Sequence, residues 1–341
     1  MERVLWINNS YLLVSRKPAA IYLFPVLNMR KFLTQSGLFV ALPLGFLLLL
    51  AYLDPFNFFR VEKDADHLML KKQIGTNINS RLYKLIEYGK SPTEVVILGD
   101  SRTDQLKTAY FEKLLNKRVT NLSYGGGSLP EIISTFDEVV KSKKVTQIYI
   151  GVSFNLYNKK NEINLVPEAV GLKQSLISYL VSKYCLRASL LYGKALLFHE
   201  SLELGKPPYT KEEFWDYQLY SSAANFYRAY AYPGEWFQEL KRISGYCATH
   251  NIKLTFLVPP THVDLQKRIA DFHLLEEEEA FKKDLTSLGA MYDFDYSNDI
   301  TLKRGNFLDP FHSVDSVSRL VVTELVTGET KYSKFSTPIK N

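Results

Sequence analysis

The residues of this chain that could carry covalent chemistry fall in four short polar blocks. They are Gly99-Asp100-Ser101-Arg102-Thr103, Asn121-Leu122-Ser123-Tyr124-Gly125-Gly126-Gly127, Gly151-Val152-Ser153-Phe154-Asn155 and Asp309-Pro310-Phe311-His312. A serine hydroxyl is a poor nucleophile until a neighbouring base takes its proton. His312 is of the type that can do so, and Asp309, one helical turn earlier, can fix the imidazole tautomer and stabilise its protonated form. Ser101 at a strand-to-helix turn would also place its own backbone N–H where an oxyanion develops. Three of the blocks have a plainer reading as well. Ser101 could be a helix cap, Asp309 and His312 a surface turn before the last helix, and Gly125–Gly127 a tight turn needing positive φ. No single plain reading accounts for all four blocks.

The elements that would position these blocks alternate as in an α/β fold. EVVILGD is a short apolar, β-branched run, as expected of a buried parallel strand, and VTNLSYGGGS, VTQIYIGVS, IKLTFLVPP and AMYDFD give four more strands. Between and after them, TDQLKTAYFEKLLNK, LPEIISTFDEVVKSKK, PGEWFQELKRISGYCATHN, HVDLQKRIADFHLLEEEEAFKKDLTSLG and DSVSRLVVTELV carry apolar residues at helical spacing. The expectation is a flavodoxin-like three-layer α/β/α domain with a central five-stranded parallel sheet. In such a sheet ligands gather beyond the carboxyl ends of the strands, where the polar blocks lie. The rhythm breaks over 155–232, which reads as a helical insertion. Overlapping its end is Tyr209–Phe237, whose eleven Tyr, Phe or Trp residues could form a sugar-stacking surface or simply pack the insertion's own core.

Composition narrows the classes. The 341 residues suit one α/β domain with extra segments, and the net charge of +6 is scattered rather than gathered on one stretch, so a nucleic-acid partner is not expected. Cys185 and Cys247 form no CxxC pair, and the six histidines show no metal-ligand spacing. No metal and no cofactor is expected. The two thiols read as buried and free, with a disulfide as the alternative.

Gly37–Leu53, GLFVALPLGFLLLLAYL, has no charge and follows Arg30 and Lys31. It reads as an uncleaved, single-pass transmembrane signal anchor, with a cleaved signal peptide as competitor and no small-x-small site to support cleavage. The expected organisation is a cytoplasmic tail at 1–36, the anchor at 37–53, a linker and lead-in helix at 54–90, the α/β domain at 91–328 and a frayed tail at 329–341. The α/β domain would then be extracytoplasmic, periplasmic or at the cell surface. Met29 opens a stretch laid out like a bacterial export signal, so residues 1–28 are expected to precede the true start; peptides from before Met29 in the native product would rule this out.

Together the blocks resemble the SGNH/GDSL hydrolase family over roughly 90–325: GDS after the first strand, a glycine turn after the second, DxxH before the final helix. The resemblance implies Ser101, Asp309 and His312 as the catalytic residues. It also implies an oxyanion hole from the backbone N–H groups of Ser101 and Gly126 and an Asn two residues after a glycine in the third block. Here that position is Ser153, with Asn155 two residues further on, so either Ser153 donates its hydroxyl, or Asn155 swings in, or the hole relies on fewer donors. Losing one such donor costs about a hundredfold in rate, so the departure bears on activity. With its anchor and insertion the chain is similar to the branch that O-acetylates exopolysaccharides such as alginate or helps D-alanylate teichoic acids. PPTHVDLQ also fits that branch, and His262 within it either lines the site or is a polar loop residue. The implied function is a serine-dependent esterase or O-acyltransferase on a cell-envelope polysaccharide. The implied partners are an acylated polysaccharide or acyl donor, the membrane and a multi-spanning membrane acyltransferase. The alternative is a non-catalytic envelope-assembly or carbohydrate-binding protein on the same scaffold.

Overall fold

The structure is a computed structural model and describes residues 18–60, 62–198 and 209–338. The chain divides into two units, Met1–Asp54 and Pro55–Asn341. In the first, Pro18–Leu53 form one helix, α1, which starts well before the expected span at 37. Its stretch Lys31–Leu53 is long and apolar enough to cross a membrane. Phe39, Leu42 and Leu48 on it are exposed, unlike the side chains of a buried core helix. The expectation for residues 1–28 falls partly outside the described residues, at 1–17.

The second unit is built on a sheet whose strands are buried on both faces, as their unbroken apolar runs predict. β1 (Val95–Leu98), β2 (Val119–Asn121), β3 (Gln147–Gly151), β4 (Lys253–Val258) and β5 (Ala290–Asp293) pair in parallel in the order β2-β1-β3-β4-β5. β6 (Phe307–Asp309) and β7 (His312–Ser313) form a separate antiparallel hairpin. The five-strand expectation is incomplete. β8 (Lys334–Ser336) adds a sixth, antiparallel edge strand on β5, with Tyr292 opposite Phe335, so the tail expected to fray is partly ordered. Closing the edge of β5 satisfies backbone groups that an open edge would leave unpaired.

Helices cover both faces. α2 (Ala65–Lys90) precedes β1 and buries Ile74, Leu82, Leu85 and Ile86, so residues 55–90 belong to this unit and are not a free linker. α3 (Ser101–Asp104) and α4 (Thr108–Leu115) follow β1, and α5 (Leu129–Val140) follows β2. After β3 come α6 (Val166–Gln174), α7 (Leu176–Leu180), α8 (Lys183–Phe198), α9 (Lys211–Asp216), a π-helical turn at Tyr217–Ser222 and α10 (Ala223–Tyr227). The region expected as an insertion is thus mostly helical from Val166 onward, where it is described, after an irregular stretch at 155–165. α11 (Gly234–Thr249), α12 (Val263–Asp271), α13 (Leu275–Leu288) and α14 (Asp315–Thr327) complete the set.

The period-two alternation of the strands sorts the core into two halves. Val96, Leu98, Ile148, Ile150 and Phe256 point to one side and pack with Phe136 of α5, Ile243 of α11 and Phe281 of α13. Val95, Ile97, Tyr149 and Leu257 point to the other and meet Phe111 of α4 and Val317, Val321 and Leu325 of α14. This gives the three-layer α/β/α arrangement. Cys185 and Cys247 are both buried and form no disulfide. Strand order reverses between β1 and β3, and such a switch opens a crevice beyond the strand ends.

Candidate active site

Ser101 is the first residue of α3, directly beyond β1. The turn that puts it there is fixed by its neighbours. Asp100 is the N-cap, its carboxylate accepting from the Arg102 N–H at 3.0 Å. Thr103 is fully buried and lies across the ends of β1 and β3; a Cβ on Gly99 or on Gly151 would come within 2.0 Å of its side chain. Both glycines are therefore required by close approach. Asn121, at the end of β2, donates its amide to the carbonyls of Thr103 (2.8 Å) and Leu106 (3.0 Å) and so holds α3 from its other end.

Asp309 and His312 face each other across the hairpin of β6 and β7. The expectation of one helical turn between them is corrected: Pro310 and Phe311 make a tight strand turn. Asp309 accepts from the backbone N–H groups of Phe311 (2.9 Å) and His312 (3.2 Å), which fixes its carboxylate. Its two oxygens lie 2.9 and 2.8 Å from His312 Nδ1. A carboxylate only accepts, so Nδ1 carries the proton and Nε2 presents its lone pair. His312 Nε2 lies 2.8 Å from Ser101 Oγ. The three side chains singled out in the sequence thus meet in one hydrogen-bonded relay, able to draw the proton off a serine hydroxyl.

The candidate donors lie in the first three blocks. Ser101 opens α3, so the helix does not use its N–H. Gly126 has φ of +63°, and the glycine turn folds back onto β1 through Tyr124 N–H to the Gly99 carbonyl at 3.0 Å. Among the described residues nothing accepts from the Gly126 N–H. Ser153 differs from expectation: it is buried, and its hydroxyl donates to Asn155 Oδ1 at 3.1 Å instead of facing the site as a free donor. The same Oδ1 accepts from Arg102 Nη2 at 2.7 Å. Asn155 Nδ2 donates to no protein atom among the described residues, so its N–H groups are unspent.

His262 does not join the relay. Its backbone N–H donates to the Pro310 carbonyl at 2.9 Å, and its Nδ1 caps α12 by accepting from Asp264 N–H at 3.2 Å. The ring packs edge-on against Trp215 and Phe307, and burial pushes its pKa below the ordinary imidazole value, with the Asp264 charge opposing. It buttresses the hairpin that carries the relay. Trp215 and Tyr227 from the aromatic segment are buried, whereas Tyr209, Tyr217, Tyr220 and Tyr232 are exposed. Tyr209 stacks on Tyr217 with centroids 5.7 Å apart. Among the described residues no cluster of His, Cys, Asp and Glu is placed to hold a metal.

The sequence reading gave no role to Arg102 or Thr103. Arg102 follows the nucleophile directly, and its partner Asn155 is 53 residues away, so no periodicity announces the contact. For Thr103 the one hint is that Gly99 and Gly151 stand just after or at the ends of two neighbouring strands, where a close approach would require glycine.

No protein-family model matches this chain, and no curated protein matches it. Solved structures do. A protein assigned to the lipolytic G-D-S-L family from Desulfitobacterium hafniense DCB-2 is 14% identical, with 68% of this chain and 97% of that one covered and a TM-score of 0.35. A GDSL-like lipase from Bacteroides thetaiotaomicron VPI-5482 is 11% identical, covering 74% and 96%, at 0.35. An alpha/beta hydrolase enzyme from the metagenome of Lake Arreo, Spain, is 11% identical, covering 70% and 95%, at 0.34. Likeness at this level carries no argument about this chain, and the functional reading rests on its own geometry.

Proposed function

We propose that this chain is an SGNH-type serine hydrolase or O-acyltransferase working through an acyl-Ser101 intermediate. The observation that carries the reading is the relay Asp309–His312–Ser101, with its contacts of 2.8 Å on each side of the imidazole. Ser101 Oγ attacks an ester carbonyl while His312 Nε2 takes its proton, and Asp309 stabilises the imidazolium. The oxyanion is met by the N–H groups of Ser101 and Gly126 and by Asn155 Nδ2. Collapse releases the alcohol, which takes the proton back from His312 and leaves the acyl group on Ser101. A second hydroxyl, from water or from a sugar, then attacks with His312 again as base. Hydrolysis and transfer share every group named and differ only in that acceptor.

The proposed substrate is an O-acylated polysaccharide of the cell envelope. Exposed tyrosines on the helical insertion, such as Tyr209, Tyr217 and Tyr220, suit sugar faces. α1 suits a single-pass anchor that keeps the catalytic unit beside a membrane-bound acyl donor or acyltransferase, outside the cytoplasm. A purely structural role is disfavoured by three polar side chains held in relay geometry. The test is incubation of the full chain in detergent with an O-acetylated glycan, and separately with p-nitrophenyl acetate plus unacetylated glycan. Acetate release in the first supports the esterase, and acetylated sugar in the second the transferase. Neither product, with Ser101→Ala indistinguishable from wild type, would overturn the reading.

A further inference from the structure

We infer that Arg102 is the positioning residue of the oxyanion hole, acting by fixing which face of the Asn155 carboxamide meets the substrate. This rests on the acyl-transfer reading of Ser101. An amide side chain can present either its oxygen or its NH2 to a given neighbour, and only the NH2 can stabilise an oxyanion. A guanidinium has donors and no acceptor, so the side of Asn155 that meets Arg102 must be Oδ1. Arg102 Nη2 donates to that oxygen at 2.7 Å, and Ser153 Oγ adds a second donor at 3.1 Å. Turning the amide over would set NH2 against guanidinium, two donors with nothing between them. The NH2 is therefore directed away from Arg102 and left unspent.

The guanidinium is itself immobilised. Its Nε donates to Asp100 Oδ2 at 2.8 Å and its Nη2 reaches the same oxygen, while Asp100 and Arg102 are 4% and 7% exposed. It lies 5.7 Å from the centre of the Phe311 ring, between Asp309 and His312 in sequence. One side chain thus touches three of the polar blocks: its own, the one after β3 and the hairpin of the relay. This explains how the third block works with its asparagine displaced by two positions from the glycine-plus-two site. Ser153, which occupies that site, becomes a second prop for the amide, and Asn155 is held at the β1/β3 crevice by the residue next to the nucleophile. Such a charge-assisted bond, dry and pre-set, needs no rearrangement as charge develops.

The test uses the full chain in detergent and p-nitrophenyl acetate, with kcat and KM measured separately and melting curves confirming fold. Asn155→Asp keeps an oxygen for Arg102 and Ser153 but has no N–H, and Asn155→Ala has neither. Both are expected to lose about 100-fold or more in kcat with KM little changed. Arg102→Ala is expected to lose a comparable factor, and Arg102→Ala/Asn155→Ala to be no slower than Asn155→Ala alone. Arg102→Lys should recover part of the loss. Losses that multiply in the double variant, or a risen KM with kcat intact, would overturn the proposal. If Arg102→Ala does not fold, Ser153→Ala replaces it: a loss of about 10-fold that vanishes in the Asn155→Ala background supports the clamp, and an equal loss in both backgrounds overturns it. Failure of the underlying reading looks different, because then wild type itself shows no Ser101-dependent turnover and both ideas fall together.

Discussion

His312 Nε2 and Ser101 Oγ lie 2.8 Å apart although 211 positions separate them in the chain. Ser101 comes from the first strand-to-helix turn and His312 from a hairpin just before the last helix. Their meeting depends on two anchors, Thr103 wedged on Gly99 and Gly151, and Pro310 held by His262.

Gly151→Ala should displace the nucleophile turn. Its added methyl meets Thr103 at 2.0 Å, and overpacking of this kind costs about 1–3 kcal/mol. A lowered melting temperature with reduced esterase turnover is expected, and Thr103→Ser in the same chain should restore part of both. Unchanged stability and turnover in Gly151→Ala would show that the wedge does not set the turn.

Acidification should weaken the unit through His262. Burial holds its folded pKa below the ordinary 6.5. Below that pH the unfolded chain binds a proton that the native state resists, so the contribution is present above about 6.5 and is lost as pH falls. Melting temperatures between pH 5 and 7 should therefore decline toward acid. His262→Asn, which keeps a capping side chain, should flatten that slope. A slope of equal size in the variant would assign it to other groups.

Lys282 supports the same region from below. Its ammonium contacts Asp293 Oδ2 at 3.0 Å, Glu278 Oε1 at 3.1 Å and the Asp295 carbonyl at 2.7 Å, and Asp295 in turn accepts from the Thr261 N–H at 3.0 Å. Burial opposes its charge, but Asp293, Asp295 and Glu278 outweigh that and raise its pKa. Lys282→Met leaves these acids without their cation, and stability should fall by about 3 kcal/mol. Denaturant midpoints read the effect, and Lys282→Arg should lose much less.

Deleting residues 1–53 should move the protein from the membrane to the soluble fraction, since Lys31–Leu53 is the one stretch among the described residues apolar and long enough to span. Recovery of the full chain in the soluble fraction after expression without detergent would contradict an anchoring role.

Much of the architecture could be read in advance because Val95–Leu98 and its sister strands are buried on both faces and so write unbroken apolar runs. What escaped has physical causes. Lys334-Phe335-Ser336 has too little apolar character to signal a strand, and is one only because β5 offers it an edge. The lead-in helix was expected, and it runs over Ala65–Lys90, but its interruption at Asn79, where φ is −156°, was not. At the site, Ser101, Asp309 and His312 were legible as types at telling positions. The Arg102–Asn155 bond was not, because a polar contact across 53 residues leaves no pattern in either segment.

The most direct measurement is to treat the folded full chain with a fluorophosphonate and locate the modified residue by peptide mass mapping. The account predicts a single adduct on Ser101, absent from Ser101→Ala and formed on the order of 10⁴-fold more slowly in His312→Ala. An adduct elsewhere, or labelling unaffected by either substitution, would contradict it.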